Sequence, residues 1–197
     1  MLNTILFYDE NAEKYAAQTS SANMSNVYER FEKYLASGAI VLDAGCGSGR
    51  DSVYFLNEGY SVVSMDASKE LCKIASAAIG KSVINIKFQE LDYENAFDAV
   101  WACASLLHLD VETLKDVLFR IHRSLKNSGV IYASWKYGDG IHTDGGRFYC
   151  DMTEEKIKSI VNQLNLFDFL EMWKSEDVLP NRTTQKWLNV IMRKMKA

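Results

Sequence analysis

The run Ile40-Val41-Leu42-Asp43-Ala44-Gly45-Cys46-Gly47-Ser48-Gly49-Arg50 constrains this chain more than any other stretch. An apolar segment ends in an acid, and three glycines then follow at alternate positions. Residues 50–58 can continue as a helix that places Val53 and Leu56 on one face. The pattern is that of a buried strand, a tight loop and a helix start. Glycine tolerates the left-handed backbone of such a loop and keeps a Cβ out of the way of anything that approaches it. The helix start adds N–H groups that have no partner within the helix.

A loop of this kind can cradle a nucleoside-containing ligand, and two classes use it. The dinucleotide fingerprint requires G-x-G-x-x-G with an acid further on for the ribose. Here the third glycine comes one residue early and Asp43 precedes the loop. A second apolar run, Tyr60 to Met65, ends in Asp66. A carboxylate at a strand tip can accept from both hydroxyls of a ribose, and its charge would repel a 2′-phosphate. Ser68 is the better cap for the next helix, which carries Leu71, Ile74 and Ala75, so Asp66 is available to a ligand.

These segments, with Phe97-Asp98-Ala99-Val100-Trp101-Ala102, His108 and Leu125-Lys126-Asn127-Ser128-Gly129-Val130, resemble the class I S-adenosylmethionine-dependent methyltransferases. The resemblance spans roughly residues 5 to 193. Gly49-Arg50-Asp51-Ser52 is similar to compact bacterial members such as the tellurite-resistance methyltransferase, whereas Asn127-Ser128 departs from the usual Lys/Arg-Pro-Gly in a turn. The resemblance implies a Rossmann-like α/β fold: a seven-stranded, mostly parallel sheet with a C-terminal antiparallel hairpin and helices on both faces. It implies S-adenosylmethionine as cofactor and a small-molecule methyl acceptor. A macromolecular acceptor, an NAD-dependent oxidoreductase and a non-catalytic cofactor-binding module are the alternatives.

Patterning along the chain agrees with that architecture. Strands are expected at 39–43, 61–65, 83–88, 97–102 and 129–136, with helices at 50–58, 69–79 and 111–126 between them. Val111, Leu114, Val117, Leu118, Ile121 and Leu125 form the clearest helical stripe, with Asp110 as its cap. A further helix follows Thr153, and strands near 167–173 and 186–193 complete the sheet. Residues 1–37 read as a helical cap of two pieces, Asp9 to Gln18 and Asn26 to Ala36. Residues 38–135 form the expected cofactor-binding core, 136–152 a mobile substrate lid with four glycines, and 153–197 the C-terminal part of the same single domain.

The candidate cofactor residues are Tyr15, Asp43, Gly45, Cys46, Gly47, Gly49, Asp66, Ala67, Gln89, Ala102 and Cys103. By resemblance, Asp43 organises the loop toward the cofactor's methionine amino group, and Gln89 (in preference to Asp92) meets the adenine. Ala102 and Cys103, ending a strand, form a pocket wall or a packed strand end. Tyr15 either closes over the sulfonium end or packs in the core; Thr19 could assist. His108 either orients substrate or takes a proton, or is a structural histidine bonded to backbone. The substrate-side candidates are Trp135, His142, Arg147 and Tyr149, with Lys136 and Asp144 beside them and Asn189 as a support for the lid.

Composition restricts the rest. A formal net charge of −4 with no run of five basic residues disfavours nucleic acid, because phosphate contacts need local positive charge. The four scattered cysteines contain no C-x-x-C pair, so no metal is expected and the thiols read as reduced and buried. No stretch approaches the length of a membrane span, and the N-terminal residues lack the basic start of a leader. A cytoplasmic protein is expected; its oligomeric state is left open.

Overall fold

The computed structural model describes residues 2–179 and 184–195. Met1 of the expected cap, residues 180–183, and Lys196 and Ala197 at the C-terminus lie outside them. The main strands are β1 (Ile40–Ala44), β2 (Ser61–Asp66), β3 (Ile84–Asn85), β4 (Phe97–Ala102), β5 (Leu125–Lys136), β8 (Phe167–Glu176) and β9 (Lys186–Lys194). They form one sheet in the order β3-β2-β1-β4-β5-β9-β8. β1 to β5 are parallel, and β9 runs antiparallel to both β5 and β8. This is the Rossmann-like sheet with its C-terminal antiparallel hairpin.

Period-2 alternation sends successive side chains of the central strands into two cores. On one face Val41, Ala99, Trp101, Val130 and Tyr132 pack with Phe31 and Phe55. On the other, Leu42, Val100, Ala102, Ile131, Ala133 and Trp135 meet the inner faces of helices α6 (Val111–Ser124) and α7 (Glu154–Leu164). A strand buried on both faces reads as a continuous apolar run, as the sequence of β1 does. Helix α6 buries the expected stripe, Leu114, Val117, Leu118 and Ile121, and the Asp110 carboxylate accepts from Thr113 N at 2.8 Å. Helices α4 (Arg50–Asn57) and α5 (Lys69–Ile79) follow β1 and β2.

The N-terminal residues form three helices where two were expected: α1 (Leu2–Glu10), α2 (Ala12–Thr19) and α3 (Ser25–Glu32). Helix α1 has little periodicity and is held by distant partners. Thr4 Oγ1 accepts from Phe148 N at 3.0 Å, and Asp9 Oδ1 accepts from Ser68 Oγ at 2.6 Å.

The third strand is only Ile84–Asn85, shorter than expected. Lys87 N donates to the Glu90 carboxylate at 2.8 Å and Glu90 N to Lys87 O at 3.0 Å, which curls the chain into a 3-10 turn at Phe88–Glu90.

The segment expected to be a mobile loop is instead a two-stranded ribbon, β6 (Ile141–Asp144) with β7 (Arg147–Cys150). Gly145 and Gly146, with φ of +56° and +86°, make its two-residue turn. A turn with φ > 0 at both central residues matches the right-handed twist of the flanking strands and so closes a hairpin.

Candidate functional site

The glycine loop sits at the carboxyl ends of β1 and β2, where ligands bind in open α/β sheets. Gly45 N and Cys46 N both donate to Met65 O, at 2.8 and 2.9 Å. Asp66 then secures the loop from the tip of β2. One carboxylate oxygen accepts from Gly47 N at 2.9 Å, the other from Ser68 N at 2.8 Å. Each oxygen retains capacity for a further hydrogen bond. Burial pushes the Asp66 carboxyl up to about 6, against the stabilising pull of these backbone N–H groups.

The three glycines are needed for different reasons. All have left-handed φ, +81°, +56° and +89° at 45, 47 and 49. A Cβ on Gly45 would lie 2.5 Å from Ser105 Cβ, and one on Gly49 would lie 3.2 Å from Ala75 of α5. Gly47 faces Tyr15 alone. Gly45→Ala should therefore destabilise the fold by about 2–4 kcal/mol, from left-handed strain and overpacking together. Denaturant unfolding measures this, and a loss below that of Gly47→Ala would contradict the ranking.

A cavity with about 710 Å³ of empty space, its open mouth included, lies beside this loop. Six of the expected cofactor residues line it: Tyr15, Gly45, Gly47, Asp66, Ala67 and Cys103. Met65, Leu71, Ile86 and Phe88 give it an apolar side. Asp43, Cys46, Gly49, Gln89 and Ala102 do not line it. Asp43 lies beneath the loop, 1% exposed, and accepts from Ser52 Oγ of α4 at 2.6 Å; that hydroxyl lies 2.7 Å from Ser64 Oγ. Gln89 occupies the 3-10 turn next to the lining Phe88, and Ala102 is fully buried in the sheet.

A second cavity, about 880 Å³ including its open mouth, lies under the β6–β7 ribbon. Tyr132, Ser134 and Lys136 of β5 line it together with Arg147 and Tyr149 of the ribbon and Thr19 of α2. Trp135, between Ser134 and Lys136, points to the opposite face, where it is wholly buried in the core. His142 lines neither cavity and stacks on the Tyr149 ring with centroids 5.2 Å apart. Asp144 is exposed at the ribbon's tip, and Asn189 supports β8 instead, its Nδ2 donating to Ser175 Oγ at 3.0 Å.

Tyr8, Tyr15, Cys103, Ala104 and His108 line both cavities. His108 is tied on both ring nitrogens: Nδ1 lies 2.6 Å from Phe148 O and Nε2 lies 2.9 Å from Tyr8 Oη. A carbonyl only accepts, so Nδ1 carries the hydrogen and neutral Nε2 accepts from the tyrosine. Burial pushes His108 down to about 4, against the Phe148 bond, which keeps the ring neutral. The ring thus joins α1 to the ribbon across the shared wall. Burial also pushes the Cys103 thiol up to about 12, with the Asp51 charge adding to it, so this sulfur is un-ionised at neutral pH.

Pattern reading missed Thr4, Ile5 and Tyr8 of α1, which cover the first cavity. It also missed a buried ionic cluster. Arg50, lining the second cavity, binds Asp51 through Nε at 2.6 Å and Nη2 at 2.9 Å. Tyr28 Oη and Trp101 Nε1 donate to the same carboxylate at 2.5 and 2.8 Å. Burial alone would raise Asp51; Arg50 and these donors outweigh it and hold the carboxyl below its usual range. Burial, and then the Asp51 charge, push the Asp43 carboxyl above its usual range.

A glycine loop, a strand-tip acid and two adjoining cavities stand on a 3-2-1-4-5 parallel core, the Rossmann-like fold with a candidate ligand site at its strand ends. Residues 41–129 match the family described as a methyltransferase domain. A protein of Geobacillus sp. (strain WCH70) named as a methyltransferase is 32% identical over 115 residues, 54% of this chain and 47% of that protein. The chain spans about half the length of the curated relatives it matches.

Among solved structures, the Burkholderia thailandensis 1,6-didemethyltoxoflavin-N1-methyltransferase, with bound 1,6-didemethyltoxoflavin and S-adenosylhomocysteine, superposes with a TM-score of 0.80. It is 23% identical, and the alignment covers 98% of this chain and 88% of that one. A Methanosarcina mazei S-adenosylmethionine-dependent methyltransferase gives 0.74 at 18% identity, covering 86% and 99%. At these identities both likenesses describe the fold. Among the described residues no helix is long and apolar enough to cross a membrane.

Proposed function

We propose that the protein is an S-adenosylmethionine-dependent methyltransferase acting on a small molecule held in the second cavity. The observation that carries this reading is the wall of five residues common to both cavities, which would set a cofactor chamber against an acceptor chamber. The lining of the first cavity suits the cofactor chemically, since small-molecule sites are mainly apolar with a few placed polar groups. Asp66 would receive the ribose hydroxyls, the Gly45–Gly47 backbone would leave room for the chain beyond, and the slot at Leu71, Ile86 and Phe88 would take the base. Tyr15 and Cys103 would stand at the junction.

When bound, the cofactor supplies a methyl group already activated by a positively charged sulfur. What remains for the protein is alignment, and positioning of this kind can be worth about 7–11 kcal/mol in favourable cases. His108 suits positioning: both nitrogens are engaged, and a base with a pKa near 4 is weak at neutral pH. The reading thus favours acceptors whose nucleophilic atom is free of a proton at neutral pH. The cover formed by α2 and the ribbon favours a small molecule over an RNA or a protein side chain. A cytoplasmic setting, where thiols stay reduced, suits the four free cysteines.

Ionised Asp66 is the form that accepts hydroxyls, so cofactor affinity should be constant above pH 7 and decline as the pH falls through about 6. Below that value the decline approaches about tenfold per pH unit. Calorimetric titration with S-adenosylhomocysteine between pH 5 and 8 measures it, and Asp66→Asn should give weak, pH-independent binding. Transfer of labelled methyl to a panel of small nucleophiles tests the activity. Cofactor binding with transfer only to an RNA or protein would replace the small-molecule part of the reading.

A further inference from the structure

Among the described residues, Asn95, Ala104, Ser128 and Asn165 adopt the left-handed backbone without being glycine. Asparagine visits this region at modest cost. Ser128 is exposed, and neither it nor the two asparagines line a cavity described above. Ala104, with φ of +50°, is different. It has no side chain with which to bond its own backbone, and it lines both cavities. Such residues persist only where their surroundings hold them, and they concentrate at working sites.

Ala104 is held from two strands. Its N–H donates to Ser134 Oγ at 2.8 Å, from a serine of β5 that is 2% exposed. The next residue, Ser105, donates from Oγ to Ala44 O at the end of β1, also at 2.8 Å. A serine hydroxyl has one hydrogen to give besides the bonds it accepts. That of Ser134 faces the Cys103 thiol and the Tyr132 phenol, and it opposes the rise that burial gives the pKa of each. One side chain thus reaches two successive residues of the shared wall. The left-handed turn carries the chain across the strand ends, so that Cys103 and Ala104 line both cavities while Leu106 returns to the core. Without the serine hydroxyl, the Ala104 N–H would lose its acceptor and the alanine would be free to leave a conformation it disfavours.

We infer that Ser134 is a positioning residue: it holds Ala104 in the left-handed conformation and so fixes the wall where the cofactor and acceptor chambers meet. The role of that wall rests on the reading of the two cavities given above, whereas the clamp itself is a property of the unliganded chain.

The test compares wild type with Ser134→Ala, Ser134→Thr, Ala104→Gly, and Ser134→Ala combined with Ala104→Gly. Calorimetry gives the affinity for S-adenosylhomocysteine, mass spectrometry the rate at which N-ethylmaleimide labels Cys103, and thermal melts the stability. Ser134→Ala should weaken binding and speed Cys103 labelling by about tenfold each, the worth of one buried hydrogen bond. Ser134→Thr, which keeps the hydroxyl, should recover most of both. Ala104→Gly should raise the melting temperature, because glycine adopts a left-handed φ without strain. In that background Ser134→Ala should cost no more than about threefold, since glycine has no preference to leave the turn. A serine that only adds stability would cost the same in both backgrounds.

Ser134→Ala values within about twofold of wild type, an equal loss in both backgrounds, or a lower melting temperature for Ala104→Gly would overturn the proposal. The last comparison stands even if Ser134→Ala fails to fold. Failure of the wild-type protein to bind S-adenosylhomocysteine would defeat the methyltransferase reading instead, and the labelling rates would still test the clamp.

Discussion

Asp66→Ala should weaken binding of S-adenosylhomocysteine by about 100-fold, two charge-assisted hydrogen bonds being worth about 3–6 kcal/mol before compensation. The same substitution frees Gly47 N and Ser68 N from their shared acceptor, so part of the loss will come from a loosened glycine loop. Those two contributions separate in the unliganded protein. Removing a carboxyl whose ionised form burial penalises relieves a cost, whereas releasing the loop adds one, so the melting temperature should move little. Calorimetry on wild type and variant at pH 7.5, alongside thermal melts, reads both quantities. Unchanged affinity would remove Asp66 from the site.

The largest effect on stability should come from Asp51. Its carboxylate is 6% exposed as a residue and accepts from Arg50, Tyr28 and Trp101. Asp51→Ala strands the Arg50 guanidinium and two further donors in the interior. Breaking a buried ion pair from one side costs about 3–5 kcal/mol, and in a chain of this size each kcal/mol lowers the melting temperature by about 2–4 °C. A drop of about 6–20 °C is expected. Arg50→Met combined with Asp51→Ala should recover part of it, since the uncompensated charge is then gone. The lowered Asp51 pKa gives a pH signature as well. Its stabilisation is present above the unfolded carboxylate range and is lost as pH falls through the folded value below it. An Asp51→Ala variant within about 1 kcal/mol of wild type would show that the cluster contributes little, as exposed pairs do.

How far the molecule could be read from its residues depended on whether the cause was local. Three alternate glycines after an apolar run carry their own conformational reason, and the α6 stripe carries its own period, so both were legible. Helix α1 was not, because its order comes from Thr4 meeting Phe148 and Tyr8 meeting His108, more than ninety residues away in each case. The ribbon was hidden for a different reason. Gly145-Gly146 is a turn signal that reads equally well as looseness until the flanking residues are seen to pair.

Parity explains the division among the site candidates. Trp135 and Lys136 are neighbours in sequence, yet strand geometry gives the core to one and the second cavity to the other. Asp43 and Cys46 belong to the loop's support beneath the cavity lining, a distinction of depth that no spacing encodes. The Arg50–Asp51 pair was visible as two adjacent charges. Its burial depended on Tyr28 and Trp101, contributed by different elements.

The most direct test is calorimetric titration of the wild-type protein with S-adenosylhomocysteine and, separately, with NAD. One S-adenosylhomocysteine per chain, with no detectable heat from NAD, is the expected result. Binding of NAD in its place, or of neither compound, would contradict the assignment of the first cavity to S-adenosylmethionine and with it the methyltransferase account.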